Sequence, residues 1–167
     1  MSGRRDRHRR AIAEVPPPDG HAPPRHRARK RFGQHFLQPV WAERVVKALA
    51  PAPDEVVLEV GPGPGAITVP LLAACRHVIA FEIDRDLVAR LREANHAQLT
   101  VVEGDFLDVT RPAIEAHLQA LGLADAPLRL AGNLPYNVAS PILFKCLELV
   151  EQGLPLRDAT VMLQREV

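Results

Sequence analysis

The stretch "EVVLEVGPGPGAITVPLLAAC", residues 55–75, decides the fold. Its first part, "EVVLEVG" (55–61), is a short β-branched run of the kind that fills a buried strand, and "AITVPLLAAC" (66–75) returns to helical spacing. Between them, glycines at 61, 63 and 65 permit a tight turn and let a ligand approach the backbone where a helix begins. Strand, glycine loop and helix in that order open a βαβ unit. A dinucleotide-binding loop reads G-x-G-x-x-G. Here the third glycine comes one residue early, and Pro62 and Pro64 stiffen the loop.

The same alternation continues downstream. "HVIAFEID" (77–84) reads as a strand, followed by an amphipathic helix "RDLVARLREAN" (85–95) with Asp84 placed to cap it. "LTVVEGD" (99–105) is a third strand and "PAIEAHLQALGL" (112–123) a third helix. "LRLAG" (128–132) makes a fourth strand, "SPILFKCLELVEQ" (140–152) a fourth helix, and "DATVMLQREV" (158–167) begins a fifth strand. Strands alternating with helices predict an α/β fold with a parallel sheet covered on both faces. The chain carries no internal repeat.

In such sheets a ligand sits beyond the carboxyl ends of the strands, so those ends hold the candidate site. The first offers Gly61 and Gly63. The second offers Glu82, 21 positions after Gly61, the spacing at which an acid reaches a ribose diol. The third offers Asp105, which can accept from the exocyclic amine of an adenine, with Phe106 beside it. A solvated charge at a strand end is the plain alternative for either acid. Three consecutive ends offering loop, acid and acid favour an adenosine-containing ligand. The fourth end carries "NLPY" (133–136): two acceptors in the Asn133 side chain and the Leu134 carbonyl, a turn fixed by Pro135, and a flat ring in Tyr136. Two acceptors suit a nucleobase amino group, whose nitrogen is a poor nucleophile while its lone pair is delocalised. Hydrogen bonds to both its protons favour a more pyramidal nitrogen. A simple Asx-Pro turn with a surface tyrosine accounts for the four residues alone, but not for the three strand ends before them.

Composition sets the frame. The chain has 167 residues, 47% hydrophobic and 25% charged, ordinary for one globular domain. Its net charge of +1 conceals an asymmetry, because residues 1–31 hold ten Lys/Arg against three Asp/Glu and the remainder eleven against seventeen. The opening segment, rich in Arg, His and Pro, is expected to be a disordered basic arm over 1–28, with "RHRARKR" (25–31) suited to phosphate backbones. Cys75 and Cys146 sit in apolar runs and are expected to be buried, reduced thiols; neither lies in a metal-binding spacing. Without a signal-peptide pattern or a run of about 18 apolar residues, the expected location is the cytoplasm, away from membranes.

The segments "RKRFGQHFL" (29–37), "EVGPGPGAIT" (59–68), "FEIDRDL" (81–87), "EGDFLD" (103–108), "GNLPYNVASPILFK" (132–145) and "VMLQREV" (161–167) stand in the order found in rRNA adenine dimethyltransferases. Over residues 29–167 the chain resembles that family, most of all the small-subunit (16S) enzymes that dimethylate two adjacent adenosines near the 3′ end. The resemblance implies a Rossmann-like methyltransferase domain using S-adenosylmethionine, with cofactor contacts at His35, Leu37, Gly61, Gly63, Glu82, Asp105 and Asn133. His35 stands where the family often has asparagine. Asn133, Leu134, Pro135 and Tyr136 would hold a flipped adenine, with no metal and no general base. The implied partner is rRNA within the small ribosomal subunit, bound by a full-length protein that is monomeric. The resemblance also implies two further strands and a helical rRNA-contacting domain beyond Val167. Three other readings remain open: a 23S methylase of the macrolide-resistance type, a non-catalytic RNA-binding or assembly factor, and a nicotinamide dehydrogenase.

Overall fold

The structure, a computed structural model, describes residues 37–163. The basic arm and His35 lie outside the described residues. The elements in order are α1 (Pro39–Leu49), β1 (Val56–Val60), α2 (Thr68–Leu72), β2 (His77–Glu82), α3 (Arg85–Glu93), β3 (Leu99–Glu103), α4 (Arg111–Ala120), β4 (Leu128–Leu134), α5 (Tyr136–Glu151) and β5 (Leu156–Leu163), with a short 3₁₀ turn at Phe106–Asp108. All strand pairs are parallel, in the order β3-β2-β1-β4-β5. The chain steps outward from β1 to β3, then crosses back to place β4 on the other side of β1. That reversal opens a crevice beyond the carboxyl ends of β1 and β4.

Alternation along β1 builds two cores. Val56, Leu58 and Val60 join Ile114 and Leu118 of α4 and Ile142, Cys146 and Leu149 of α5 on one face. On the other, Val57 packs with Ala42, Val45 and Leu49 of α1, Leu71 of α2 and Cys75. Each buried aliphatic side chain contributes about 1.5–3 kcal/mol, so the β1 strand, buried at all five positions, anchors both layers. Both cysteines are buried and free, as expected. Among the described residues no helix is long and apolar enough to cross a membrane.

Most predicted elements stand close to their expected positions, and Asp84 caps α3 by accepting from the Asp86 amide at 2.9 Å. Three differ. Helix α1 was not anticipated, although Ala42, Val45 and Leu49 recur at helical spacing behind Pro39 at its start. The helix expected over 66–75 shortens to Thr68–Leu72, because Gly65 and the prolines keep the loop's turn going to residue 67. The helix expected from Ser140 starts at Tyr136 instead, with Pro135 as its cap. "Ser-Pro" imitates a helix start; here Pro141 lies inside α5 and removes one backbone hydrogen bond.

At the amino ends of the strands a buried ionic cluster ties the sheet to α1. Arg129 of β4 donates to Glu55 at 3.1 Å, to both carboxylate oxygens of Asp158 at 2.7 and 2.8 Å, and to the Ala50 carbonyl at 3.3 Å. Arg157 reaches the second oxygen of Glu55 at 3.1 Å. Burial alone would raise the Glu55 pKa, but the Ala52 amide and the two guanidinium groups outweigh it and hold the carboxyl below its usual range.

Candidate active site

The glycine loop leaves β1 with Gly61, Gly63 and Gly65 at φ of 67°, 58° and 96°, a region that favours glycine. A Cβ built at Gly61 or Gly63 would meet nothing within 4 Å. Space is open on this side of the loop, in the crevice where the strand order reverses. Gly132 of β4 is different: a Cβ there would lie 2.9 Å from the Val60 carbonyl, so its glycine lets β4 approach β1.

Glu82, at the end of β2, is buried and holds the loop. One carboxylate oxygen accepts from the Gly63 amide at 3.0 Å and the other from the Asp84 amide at 2.9 Å. Each oxygen keeps a further acceptor site, so the residue can both staple the loop and receive the hydroxyls of a ribose. The stapling role was not anticipated from the sequence. It also disfavours a diphosphate, because the Gly63 amide that would cradle it is already given to a carboxylate.

Asp105 follows β3. Its Oδ1 accepts from the Leu107 amide at 2.9 Å and starts the 3₁₀ turn, so that its second oxygen could accept from a ligand. Phe106 does not stand beside it in the site. It is buried in the core, edge-on to Phe81 with ring centroids 5.3 Å apart. Leu37, just before α1, packs against the core cluster below the loop.

The Asn-Leu-Pro-Tyr segment is split between two elements rather than forming a free turn. Asn133 and Leu134 end β4, Pro135 caps α5 in extended conformation, and Tyr136 is the first residue of the helix, 60% exposed. Leu134 is buried, so only its backbone is available to a ligand. The Asn133 side-chain oxygen is shut away from water and accepts no hydrogen bond. A buried acceptor left unpaired costs about 1–3 kcal/mol, a cost that an N–H brought to it would relieve.

Glu59, the one acid in "VVLEV" of β1, was not anticipated from the sequence. It is fully buried, and burial first, then the neighbouring Glu82, pushes its carboxyl up to about 8. Thr68 lies against it and eases its ionisation, yet neither Glu59 Oε2 nor the Thr68 hydroxyl closes a well-formed hydrogen bond. A lone charge inside an apolar strand was the signal available. The crevice thus carries the carboxylates of Glu82 and Asp105 and the unpaired Asn133 oxygen, a set of acceptors that fits an adenosine bearing a positive charge better than an anionic dinucleotide.

The model of the ribosomal RNA adenine dimethylase family matches residues 25–167. The ribosomal RNA small subunit methyltransferase A of Bordetella pertussis is 49% identical over 144 residues, covering 85% of this chain and 49% of that protein. Its counterpart from Aromatoleum aromaticum is 47% identical over 144 residues, with the same coverage of 85% and 49%. The chain spans about half the length of the curated relatives it matches. Among solved structures, the 23S rRNA methyltransferase ErmE superposes with a TM-score of 0.63 at 30% identity, over 78% of this chain and 48% of that one. A dimethyladenosine transferase from Plasmodium falciparum gives a TM-score of 0.61 at 26% identity, over 78% and 44%. The glycine loop, the acidic strand ends and Asn133 all fall inside the matched region, and the chain belongs to the ribosomal RNA adenine dimethylase family.

Proposed function

We propose that the chain forms the cofactor-binding and catalytic part of an S-adenosylmethionine-dependent methyltransferase that dimethylates adenine amino groups in rRNA, on two adjacent adenosines near the 3′ end of the 16S molecule. The observation that carries this reading is the unpaired, water-shielded Asn133 oxygen at the crevice, in a family defined by adenine dimethylation. The higher identity to small-subunit enzymes than to ErmE favours the small-subunit substrate over the 23S alternative.

When bound, S-adenosylmethionine supplies an electrophilic methyl group on a sulfonium sulfur. The chain's residues bind and aim the reactants. The open face of the Gly61–Gly63 loop accommodates the methionyl part, Glu82 takes the ribose hydroxyls and Asp105 the adenine amine of the cofactor. His35 and Leu37 are further cofactor contacts that the family resemblance implies. The Asn133 oxygen and the Leu134 carbonyl accept hydrogen bonds from the two N–H groups of the target amino group, which would turn its lone pair toward the methyl carbon. Tyr136 stacks on the target base and Pro135 fixes the angle between them. The cofactor would supply the methyl group and its sulfur would leave as a neutral thioether, while water outside the site would take the proton that the target nitrogen gives up. Dry acceptors act more strongly than solvated ones, and most of the rate comes from positioning. The setting is the cytoplasm, with a monomeric full-length protein acting on the small ribosomal subunit.

The test is a chimera in which residues 29–163 replace the matching half of the Bordetella pertussis relative. The chimera is expected to methylate undermethylated small subunits and not large subunits. The same chimera with Asn133→Ala should keep its fold and lose transfer by at least about a hundredfold, an oxyanion-hole-sized loss. Transfer at the parent rate by the alanine variant contradicts the amino-positioning role.

A further inference from the structure

The chain has one tryptophan and one tyrosine, and both are exposed at the same end of the sheet. The placement of Tyr136 follows from its position directly after β4. That of Trp41 follows from α1. Ala50, which ends α1, accepts from Arg129 near the amino end of β4 at 3.3 Å. An eleven-residue helix is about 16 Å long, the length of a five-residue strand. Helix α1 therefore runs back along the sheet and carries its first turn, with Trp41, to the carboxyl rim. It packs on the face opposite α5, against Ala131 and Met162 of β4 and β5. The ends of β4 and β5 lie between the two rings.

Trp41 is 45% exposed, and the Arg44 guanidinium sits over it at 4.4 Å from the ring centroid. Arg44 and Lys47 are exposed on the same helix, where Glu43 is the single exposed acid. The sequence just upstream, "RHRARKR", adds five Lys/Arg in seven residues. An exposed aromatic flanked by cations is the combination that binds single-stranded nucleic acid, by stacking and by contact with phosphates. Nothing in the cofactor site uses it.

We infer that Trp41 is a second stacking platform, which takes a base flanking the target adenine while Arg44 and Lys47 meet the adjoining phosphates. The RNA strand then crosses the ends of β4 and β5, from Trp41 to Tyr136. This inference rests on the RNA-methylating reading above and concerns the path of the strand.

As the sole tryptophan, Trp41 reports on itself. The intact chain is titrated with a short adenine-rich single-stranded RNA at low salt, following both tryptophan emission and the anisotropy of labelled RNA. Saturable quenching with the same midpoint as the anisotropy is expected. Trp41→Ala should weaken binding about tenfold or more, a base–aromatic stack's share, and Trp41→Phe should recover most of it. Binding without change in emission overturns the inference, as does a Trp41→Ala variant that binds like the parent. The emission result stands even if the alanine variant fails to fold. Absence of RNA binding, or an emission change with protein concentration alone that marks the face as an interface between copies, also overturns it. Calorimetric binding of S-adenosylmethionine separates these failures from failure of the cofactor reading.

Discussion

Glu59 makes stability depend on pH in a direction that can be calculated. The group titrates at about 8 in the folded chain and near 4.5 when unfolded. Between those values the folded chain holds a proton that the unfolded chain has released. Stability therefore falls as pH rises from about 4.5 to about 8 and levels off above. At about 1.4 kcal/mol per pH unit the interval sets a ceiling of roughly 5 kcal/mol, and relaxation around a newly charged carboxylate reduces the expected loss to about 2–3 kcal/mol. Glu59→Gln keeps the shape and removes the ionisation. His77, whose pKa burial and then His96 depress below 6.5, contributes the opposite slope at the acid end. The difference between parent and variant isolates Glu59. Urea unfolding of both, followed by circular dichroism from pH 5.5 to 9, should show curves that diverge upward in pH, with the glutamine variant more stable at pH 9. Parallel curves across that range refute the assignment of a protonated Glu59.

Three further outcomes follow from packing and hydrogen bonding. Gly132→Ala places a methyl 2.9 Å from the Val60 carbonyl and 3.1 Å from Leu134 Cδ2, within a central strand pair. It should cost about 2 kcal/mol of unfolding free energy, and a urea midpoint equal to the parent's argues against the close approach. Glu82→Ala frees the Gly63 and Asp84 amides and should weaken S-adenosylmethionine binding at least about tenfold by calorimetry while leaving RNA affinity nearly unchanged. Equal weakening of both contradicts the ribose assignment. Arg129→Ala leaves the buried Glu55 with the Ala52 amide and Arg157 and should destabilise the chain by about 3 kcal/mol. A loss below 1 kcal/mol, measured by thermal and urea unfolding, places the cluster among exposed ion pairs.

What could be read from the residues was the order of strands and helices and which side chains stand at the carboxyl ends of the strands. Period-two and helical spacing are local signals, and Glu82, Asp105 and Asn133 came with them because a parallel sheet sends its carboxyl ends to one rim. The misreadings are local too. "Ser-Pro" at 140–141 gives the same signal whether it starts a helix or lies within one, and only the packing of Ala139 and Ile142 against the sheet settles where α5 begins. Phe106 belongs to the core because its neighbour Phe81 waits there, a contact across 25 residues that spacing does not report. Glu82's hold on the Gly63 amide, and the burial of Glu59 beneath the loop, also arise only when β1 and β2 pair. The ionic cluster around Arg129 joins residues as far apart as Ala50 and Asp158. It emerges from the register of β4 and β5.

The crevice between β1 and β4 takes S-adenosylmethionine in the proposed function. Its most direct test is calorimetric titration of the purified chain with that compound, with a nicotinamide dinucleotide as control and circular dichroism to confirm the fold. Saturable binding of S-adenosylmethionine alone, weakened by Glu82→Ala, is expected. A folded chain that binds the dinucleotide, or neither compound, contradicts it.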